Sequence, residues 1–253
     1  MLSPPEFPFP ATALVTGGAK RIGAALARAL AADGWHVAIH CHQSRADADS
    51  LAAELGGSVV QGDLAHPRIG TDLFAQLAGA PPVRLLVNNA SRFDLDHLDD
   101  FTAEQWDRHM AVNLRAPALL TQAFAAHLGS GNGAVINLTD AKLAALNPDF
   151  LSYTVSKLGL AGFTELAARA LAPRIRVNAI APAVTLVSGP QTRENFAAAH
   201  ILNPLQRGVT VDHLVAALRF ILATPTLTGQ TLTLDSGQRF LGLPRDVAYM
   251  IDE

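Results

Sequence analysis

Thr16-Gly17-Gly18-Ala19-Lys20-Arg21-Ile22-Gly23 joins a short apolar run to a segment of helical period, and this junction decides the fold. Glycines there let the backbone turn tightly and approach a phosphate, while the N–H groups and dipole of the following helix favour an anion. From Arg21 to Asp33, Ile22, Ala25, Leu26, Ala29 and Leu30 form one apolar stripe, and Gly34 supplies the helix stop. A βαβ unit therefore opens the chain. Where many such loops carry a middle glycine this one has Arg21, preceded by Lys20. Two cations beside a pyrophosphate site point to extra negative charge to be neutralised; the plainer reading is a solvated helix start.

Outward from that turn, short apolar runs alternate with longer helical segments, the pattern of a parallel sheet with helices on both faces. Strands are expected at Ala13 to Thr16, His36 to His40, Ser58 to Gln61, Arg84 to Asn88, Ala134 to Leu138, Ile175 to Ala179 and Thr231 to Leu234. Most are apolar throughout, as strands covered on both faces must be. Long helices are expected at Thr102 to Leu128, kinked at Pro117, and at Ser152 to Leu171, closed by Ala172-Pro173. The second is rich in Gly and Ala, which suits close packing against a second subunit and equally against its own sheet.

The chain has 253 residues, 49% hydrophobic and 16% charged, which suits one α/β domain with a sizeable core over residues 11–253. A net charge of -3 without a basic run supports neither nucleic acid nor a membrane surface as partner, leaving a small molecule. The single cysteine, Cys41, excludes an intrachain disulfide and fits a reducing, cytosolic compartment. Residues 1–10 carry four prolines and read as a loose tail. No metal-ligand pattern stands out.

About twenty residues beyond the glycine turn, an NAD site usually offers an acid to the ribose hydroxyls. Here the second strand ends His40-Cys41-His42-Gln43-Ser44-Arg45, with no acid before Asp47. His42, Ser44 and Arg45 can donate to a 2′-phosphate, which favours NADPH over NADH. Asp63 and Leu64 follow the third strand, and Asn88-Asn89-Ala90-Ser91 follows the fourth, both at strand carboxyl ends where ligands bind in open α/β sheets. Asp63 is placed to accept from an adenine amino group; Asn and Ser also favour turns that hold no ligand.

Asn113, Asp140, Tyr153 and Lys157 form the most specific constellation. Tyr153 and Lys157 are one helical turn apart on one face. That spacing predicts an ammonium that stabilises a tyrosinate and lowers the tyrosine pKa from about 10, making Tyr153 a usable proton donor.

The segments TGGAKRIG, NNAS, Asn113, YTVSK and RIRVNAIAP resemble the short-chain dehydrogenase/reductase family over essentially the whole chain. The resemblance implies a single-domain Rossmann-like, doubly wound sheet, a dimer or tetramer, and a Ser-Tyr-Lys-Asn catalytic group. It also implies cofactor contacts from Gly17, Lys20, Arg21, Ile22, Gly23, Asn89, Ala90, Ser91, Thr139, Tyr153, Lys157 and the segment Pro182, Ala183, Val184. The sequence departs at the serine, thirteen positions before the tyrosine, where Asp140 stands. Within the family, that aspartate, the AKR turn, HCHQS, and NNAS followed two residues later by Phe93 resemble pteridine reductases and bacterial dihydromonapterin reductases.

The substitution has a chemical rationale. Carbonyl reduction builds negative charge on oxygen, which a carboxylate repels, whereas reducing a pterin C=N bond needs a proton on a ring nitrogen that a carboxylic acid of raised pKa can supply. Asp140 is then the proton donor, Tyr153 its relay, Lys157 the holder of Tyr153 and the nicotinamide ribose, and Asn113 the organiser of a water path behind Lys157. Phe93 is expected to stack on the flat ring, with Ser91 and Arg21 on its polar edge. Residues 185–204 read as a substrate lid. Two rival readings stand beside this one: a carbonyl reductase of sugars, ketones or acyl thioesters, and an idle NADPH-binding redox reporter.

Overall fold

The computed structural model describes residues 7–8, 10–188 and 191–251. Its strands are β1 (Thr12–Val15), β2 (His36–Cys41), β3 (Ser58–Gln61), β4 (Val83–Asn88), β5 (Gly133–Leu138), β6 (Ile175–Pro182) and β7 (Thr231–Leu234). They form one parallel sheet in the order β3-β2-β1-β4-β5-β6-β7. The expected single-domain, Rossmann-like α/β fold is therefore the observed one. The order reverses between β1 and β4, which leaves a crevice at their carboxyl ends.

Alternate residues of each strand enter different layers, which explains why the central strands do not alternate in polarity, whereas the edge strand β7, Thr-Leu-Thr-Leu, does. Ala13, Val15, Val37, Ile39, Val87 and Ile136 pack under α1 (Arg21–Ala32), α2 (Arg45–Leu55) and α8 (Val211–Ala223). Leu14, Ala38, Leu86, Val135 and Val177 face α3 (Ile69–Ala75), α5 (Ala116–Leu128) and α6 (Leu151–Leu171). The remaining helices are α4 (Ala103–Met110) and α7 (Arg193–Ile201).

The structure corrects three expectations. The helix expected from Thr102 to Leu128 is a continuous helical run over 103–128, but its irregularity is not a kink at Pro117. Thr102 caps α4 in a capping box with Gln105, a π-helical turn occupies Ala111–Arg115, and α5 follows. Pro117 opens α5, but Arg115 and Ala116 before it keep helical angles, so its missing N–H falls inside the continuous run; the irregularity is the π turn just upstream, which carries Asn113. Strand β6 runs three residues past Ala179 because Ile180, Ala181 and Pro182 pair with β7. Most of the proposed N-terminal tail lies outside the described residues, but Phe7 is buried edge-on against Trp35 rather than loose.

Candidate active site

The carboxyl ends of β1, β4, β5 and β6 open into one cavity of about 760 Å³. Gly17, Lys20, Arg21, Ile22, Gly23, Asn89, Ala90, Ser91, Phe93, Thr139, Asp140, Tyr153, Lys157, Pro182, Ala183 and Val184 all line it. The glycine turn sits at one end. Gly17 has a left-handed backbone, and a Cβ on Gly23 would fall 2.2 Å from the Gly17 carbonyl oxygen, so both positions need glycine. Arg21 takes φ 54° at the point where a middle glycine would have cost no strain. Beneath the turn, His40 Nδ1 accepts from the Gly17 N–H at 3.1 Å, which leaves Nε2 to donate to the Gly62 carbonyl at 3.1 Å. Burial holds the His40 pKa down at about 4, so the ring is a neutral strut.

The residues expected around a 2′-phosphate lie outside this cavity. His42 and Ser44 follow β2, and Arg45 spends its guanidinium on Asp49, with Nε 2.8 Å from Oδ1. Lys20 pairs with Asp47 at 2.9 Å. Neither cation is free in this structure, because the acids absent from positions 42–46 follow immediately in α2. Asp63 Oδ1 caps its own turn by accepting from the Ala65 N–H, on a separate shallow groove, and Leu64 is buried beneath.

At the other end, β5 and α6 assemble the polar centre. Thr139 extends β5, its N–H donating to the Ile180 carbonyl at 2.9 Å, so Asp140 emerges at the sheet edge. One Asp140 oxygen accepts from the Lys142 N–H at 2.8 Å; the other accepts from the Tyr153 hydroxyl at 2.6 Å. Lys157 Nζ donates to the Leu138 carbonyl at 2.7 Å and sits 5.7 Å from the centre of the Tyr153 ring. Burial pushes the Asp140 carboxyl up, against the lowering effect of its two hydrogen bonds.

Tyr153 runs opposite to expectation. Its pKa is raised well above 10, first by burial and then by the Asp140 charge, because the group against its hydroxyl is a carboxylate while the Lys157 ammonium points at a backbone carbonyl. Tyr153 is therefore held as a phenol. Burial brings Lys157 itself down to about 8.

Asn113 spends its whole amide on neighbours: Oδ1 accepts from the Arg92 N–H at 2.8 Å, and Nδ2 donates to the Arg92 carbonyl and to Ser156 Oγ. Only its backbone remains for the water path expected behind Lys157. Phe93 is 38% exposed to the cavity, yet one face already stacks on Phe150 at 4.2 Å and its ring meets Tyr153 edge-on. A planar ligand has only the remaining face.

Sequence reading missed the far wall. Asp149 is fully buried and accepts from Arg245 Nε at 2.9 Å and from the Asp246 N–H at 2.7 Å, tying the C-terminal segment across the cavity of its own chain. Burial pushes the Asp149 carboxyl up, but the Arg245 and Asp246 hydrogen bonds outweigh it and the pKa falls. Lys142 Nζ lies 3.7 Å from Asp246 and donates to the Asp149 carbonyl, and Tyr249 extends the Phe93–Phe150 stack. The only sequence cue was Lys142 standing two places after Asp140. Among residues 185–204, Thr185, Leu186, Ser188, Gln191, Thr192 and Asn195 line the cavity, and Arg193–Ile201 is helical; residues 189 and 190 lie outside the described residues.

A parallel sheet with a glycine turn at its switch point and a buried Tyr-Lys pair at the adjoining strand end defines a dinucleotide-binding oxidoreductase. The comparisons narrow that class. Residues 17–239 match the family model described as Enoyl-(Acyl carrier protein) reductase. The chain is 34% identical to the "Probable galactose dehydrogenase GalD" of Rhizobium meliloti, over 88% of this chain and 93% of that protein. It is also 34% identical to a 3-oxoacyl-[acyl-carrier-protein] reductase of Synechocystis sp., over 89% of this chain and 95% of that one. Among solved structures, the FolM alternative dihydrofolate reductase 1 of Brucella suis, in complex with NADP, superposes with TM-score 0.85 at 39% identity, covering 91% of this chain and 95% of that one. Its Brucella canis counterpart, also with NADP, gives TM-score 0.87 and 40% identity, covering 92% and 94%. The chain belongs to the short-chain dehydrogenase/reductase family.

Proposed function

We propose that this protein is an NADPH-dependent reductase of a C=N bond in a pterin, a dihydropterin or dihydrofolate-like ring. The observation that carries the proposal is the 2.6 Å hydrogen bond from the Tyr153 hydroxyl to Asp140, at the position where a carbonyl reductase of this family has serine. The two NADP-bound neighbours support it, being dihydrofolate reductases by description.

The glycine cradle fits a dinucleotide pyrophosphate, since a Cβ at Gly23 would fill the space between Gly17 and Asn89. Gly17, Arg21, Ile22 and Gly23 would hold the diphosphate, and Tyr153, Lys157 and the segment 182–184 the nicotinamide end. Exposed ion pairs such as Arg45–Asp49 and Lys20–Asp47 are weak because solvent screens them, so a 2′-phosphate can compete for these cations, with His42 and Ser44 beside it. Asp63 and Leu64 are assigned to the adenine side. Bound there, NADPH supplies the hydride.

The chain's own residues handle the proton. Burial keeps Asp140 protonated to a higher pH than an ordinary carboxyl, so it can give a proton to a basic ring nitrogen. Tyr153, held as a phenol on the same carboxylate, relays rather than donates: as it passes its proton to the emptied Asp140 it takes up one from solvent, so no tyrosinate is left in the buried site. Lys157 keeps positive charge under the phenol, and Asn113 fixes Arg92 beside the ring site. Phe93 stacks on the substrate by its free face, Ser91 and Arg21 bind the polar edge, and residues 185–204 exclude water as a lid. The enzyme is assigned to the cytosol as a homo-oligomer; among the described residues no helix is long and apolar enough to cross a membrane.

Carbonyl reduction is the second reading, favoured by relatives named for sugar and 3-oxoacyl substrates. NADPH oxidation by the purified protein, with dihydropterin, dihydrofolate and a panel of ketones, sugars and acyl thioesters side by side, separates the two. Turnover of carbonyls without pterins would overturn the proposal.

A further inference from the structure

Residues 89–102 join β4 to α4 without helix or strand, and they carry both Ser91 and Phe93 into the cavity. A segment of that kind holds a ring in one place only if its backbone is pinned on either side of the ring. Arg92, before Phe93, is pinned through its N–H and its carbonyl by Asn113. Asp94, after Phe93, is pinned by a group outside the proton path: its N–H lies 3.2 Å from His109 Nε2.

That contact fixes the direction of a buried chain of hydrogen bonds. A backbone N–H only donates, so His109 Nε2 accepts and carries no proton. Nδ1 then bears the hydrogen and donates to Ser152 Oγ, 2.6 Å away. Ser152 in turn donates to the Asp96 carboxylate, which also accepts from the Ser152 N–H at 3.1 Å. His109, Ser152 and Asp96 are essentially without solvent contact. Ser152 immediately precedes Tyr153, so this chain fastens the Phe93 segment to the first turn of α6.

We propose that His109, as the neutral Nδ1–H tautomer, is a positioning residue that sets Phe93 against Tyr153 and so fixes where the flat substrate stacks. The inference rests on the assignment of Phe93 to the substrate ring. The groups facing the imidazole are Arg92, Asp94 and Asp96 from the loop, and Ser152 and Tyr153 from α6. Burial lowers the His109 pKa, Arg92 adds to that, and Asp96 and Asp94 oppose it. Protonation puts a hydrogen on Nε2 facing the Asp94 N–H. The Asp94 carboxylate, now 3.9 Å away, becomes the ring's better partner, and the backbone contact is lost.

Three proteins test this: the full-length parent, His109→Leu and His109→Gln. Glutamine offers one acceptor and one donor but does not titrate. At neutral pH His109→Leu is expected to raise KM for dihydropterin about tenfold, the worth of one buried hydrogen bond, with kcat and the KM for NADPH little changed. His109→Gln is expected to restore KM and to lack the rise in KM that the parent shows as the pH falls below the ordinary histidine range. Amide hydrogen exchange without substrate gives a second readout: residues 91–97 exchange faster in His109→Leu and at the parental rate in His109→Gln. This readout does not depend on which substrate is turned over, so a protein inactive on pterins would sink the proposed function and leave the His109 result standing. Parental exchange and KM in His109→Leu would overturn the inference. So would uniformly faster exchange throughout both variants, which would make His109 merely part of the core.

Discussion

Lys157→Met removes a charge that the fold pays to bury. The Lys157 pKa falls from 10.5 to about 8 on folding, and at about 1.36 kcal/mol per pKa unit this represents roughly 3 kcal/mol lost at pH 7 by holding the ammonium in place. Methionine has a similar stem and no such penalty, but it strands the Leu138 carbonyl, at about 1–3 kcal/mol. The variant should therefore be as stable as the parent at pH 7, or up to about 2 kcal/mol more stable, while losing nearly all turnover. The pH dependence isolates the charge. Because the folded pKa is depressed, the parent has its full stability only above the unfolded value, and it loses stability as the pH falls toward 8. Between pH 7 and pH 9.5 the parent should gain about 2 kcal/mol on the variant, a difference in which the Leu138 cost cancels. Urea unfolding of both proteins at the two pH values measures it. A gap that does not change with pH would refute the reasoning.

Two further outcomes follow from buried groups that hold the walls of the site. His40 drops from 6.5 to about 4 by burial, so its contribution is present above pH 6.5 and lost as the pH falls to 4; His40→Leu should be less stable at pH 7 but lose roughly 2.4 kcal/mol less than the parent on acidification to pH 4.5, read from urea midpoints. Equal losses would show that the ring does not titrate in that window. Asp149→Asn removes a buried carboxylate from its hydrogen bonds with the half-exposed Arg245 and the Asp246 N–H and should cost about 1–3 kcal/mol at neutral pH, raise the substrate KM, and expose the segment after Leu243 to limited proteolysis. An unchanged digestion pattern would mean the C-terminal wall is held by other contacts.

The sheet was legible because its signals are local. Apolar runs such as Val83–Asn88 and a glycine turn followed by a striped helix need no tertiary knowledge, and the strand bounds differ by at most three residues. Asp140, Tyr153 and Lys157 were legible for the same reason: one spacing along α6 and one strand end bring them together. What escaped depends on groups distant in the chain. The direction of the Tyr153 shift is set by which partner lies against the hydroxyl, and Asp140 is thirteen residues away on another element. The link from Asp149 to Arg245 spans ninety-six positions and joins two segments that contain little regular structure. The π turn at Asn113 was hidden because Pro117 offered a more familiar cause of irregularity four residues downstream.

The central claim is that a carboxyl at position 140 protonates the substrate, and Asp140→Ser tests it most directly. NADPH binding, followed by cofactor fluorescence, should stay at the parental level, because Asp140 bonds to Tyr153 and Lys142 and not to the glycine turn. Dihydropterin-dependent NADPH oxidation should fall by about a hundredfold or more, the usual worth of a positioned acid. Unchanged pterin turnover in Asp140→Ser would contradict the account.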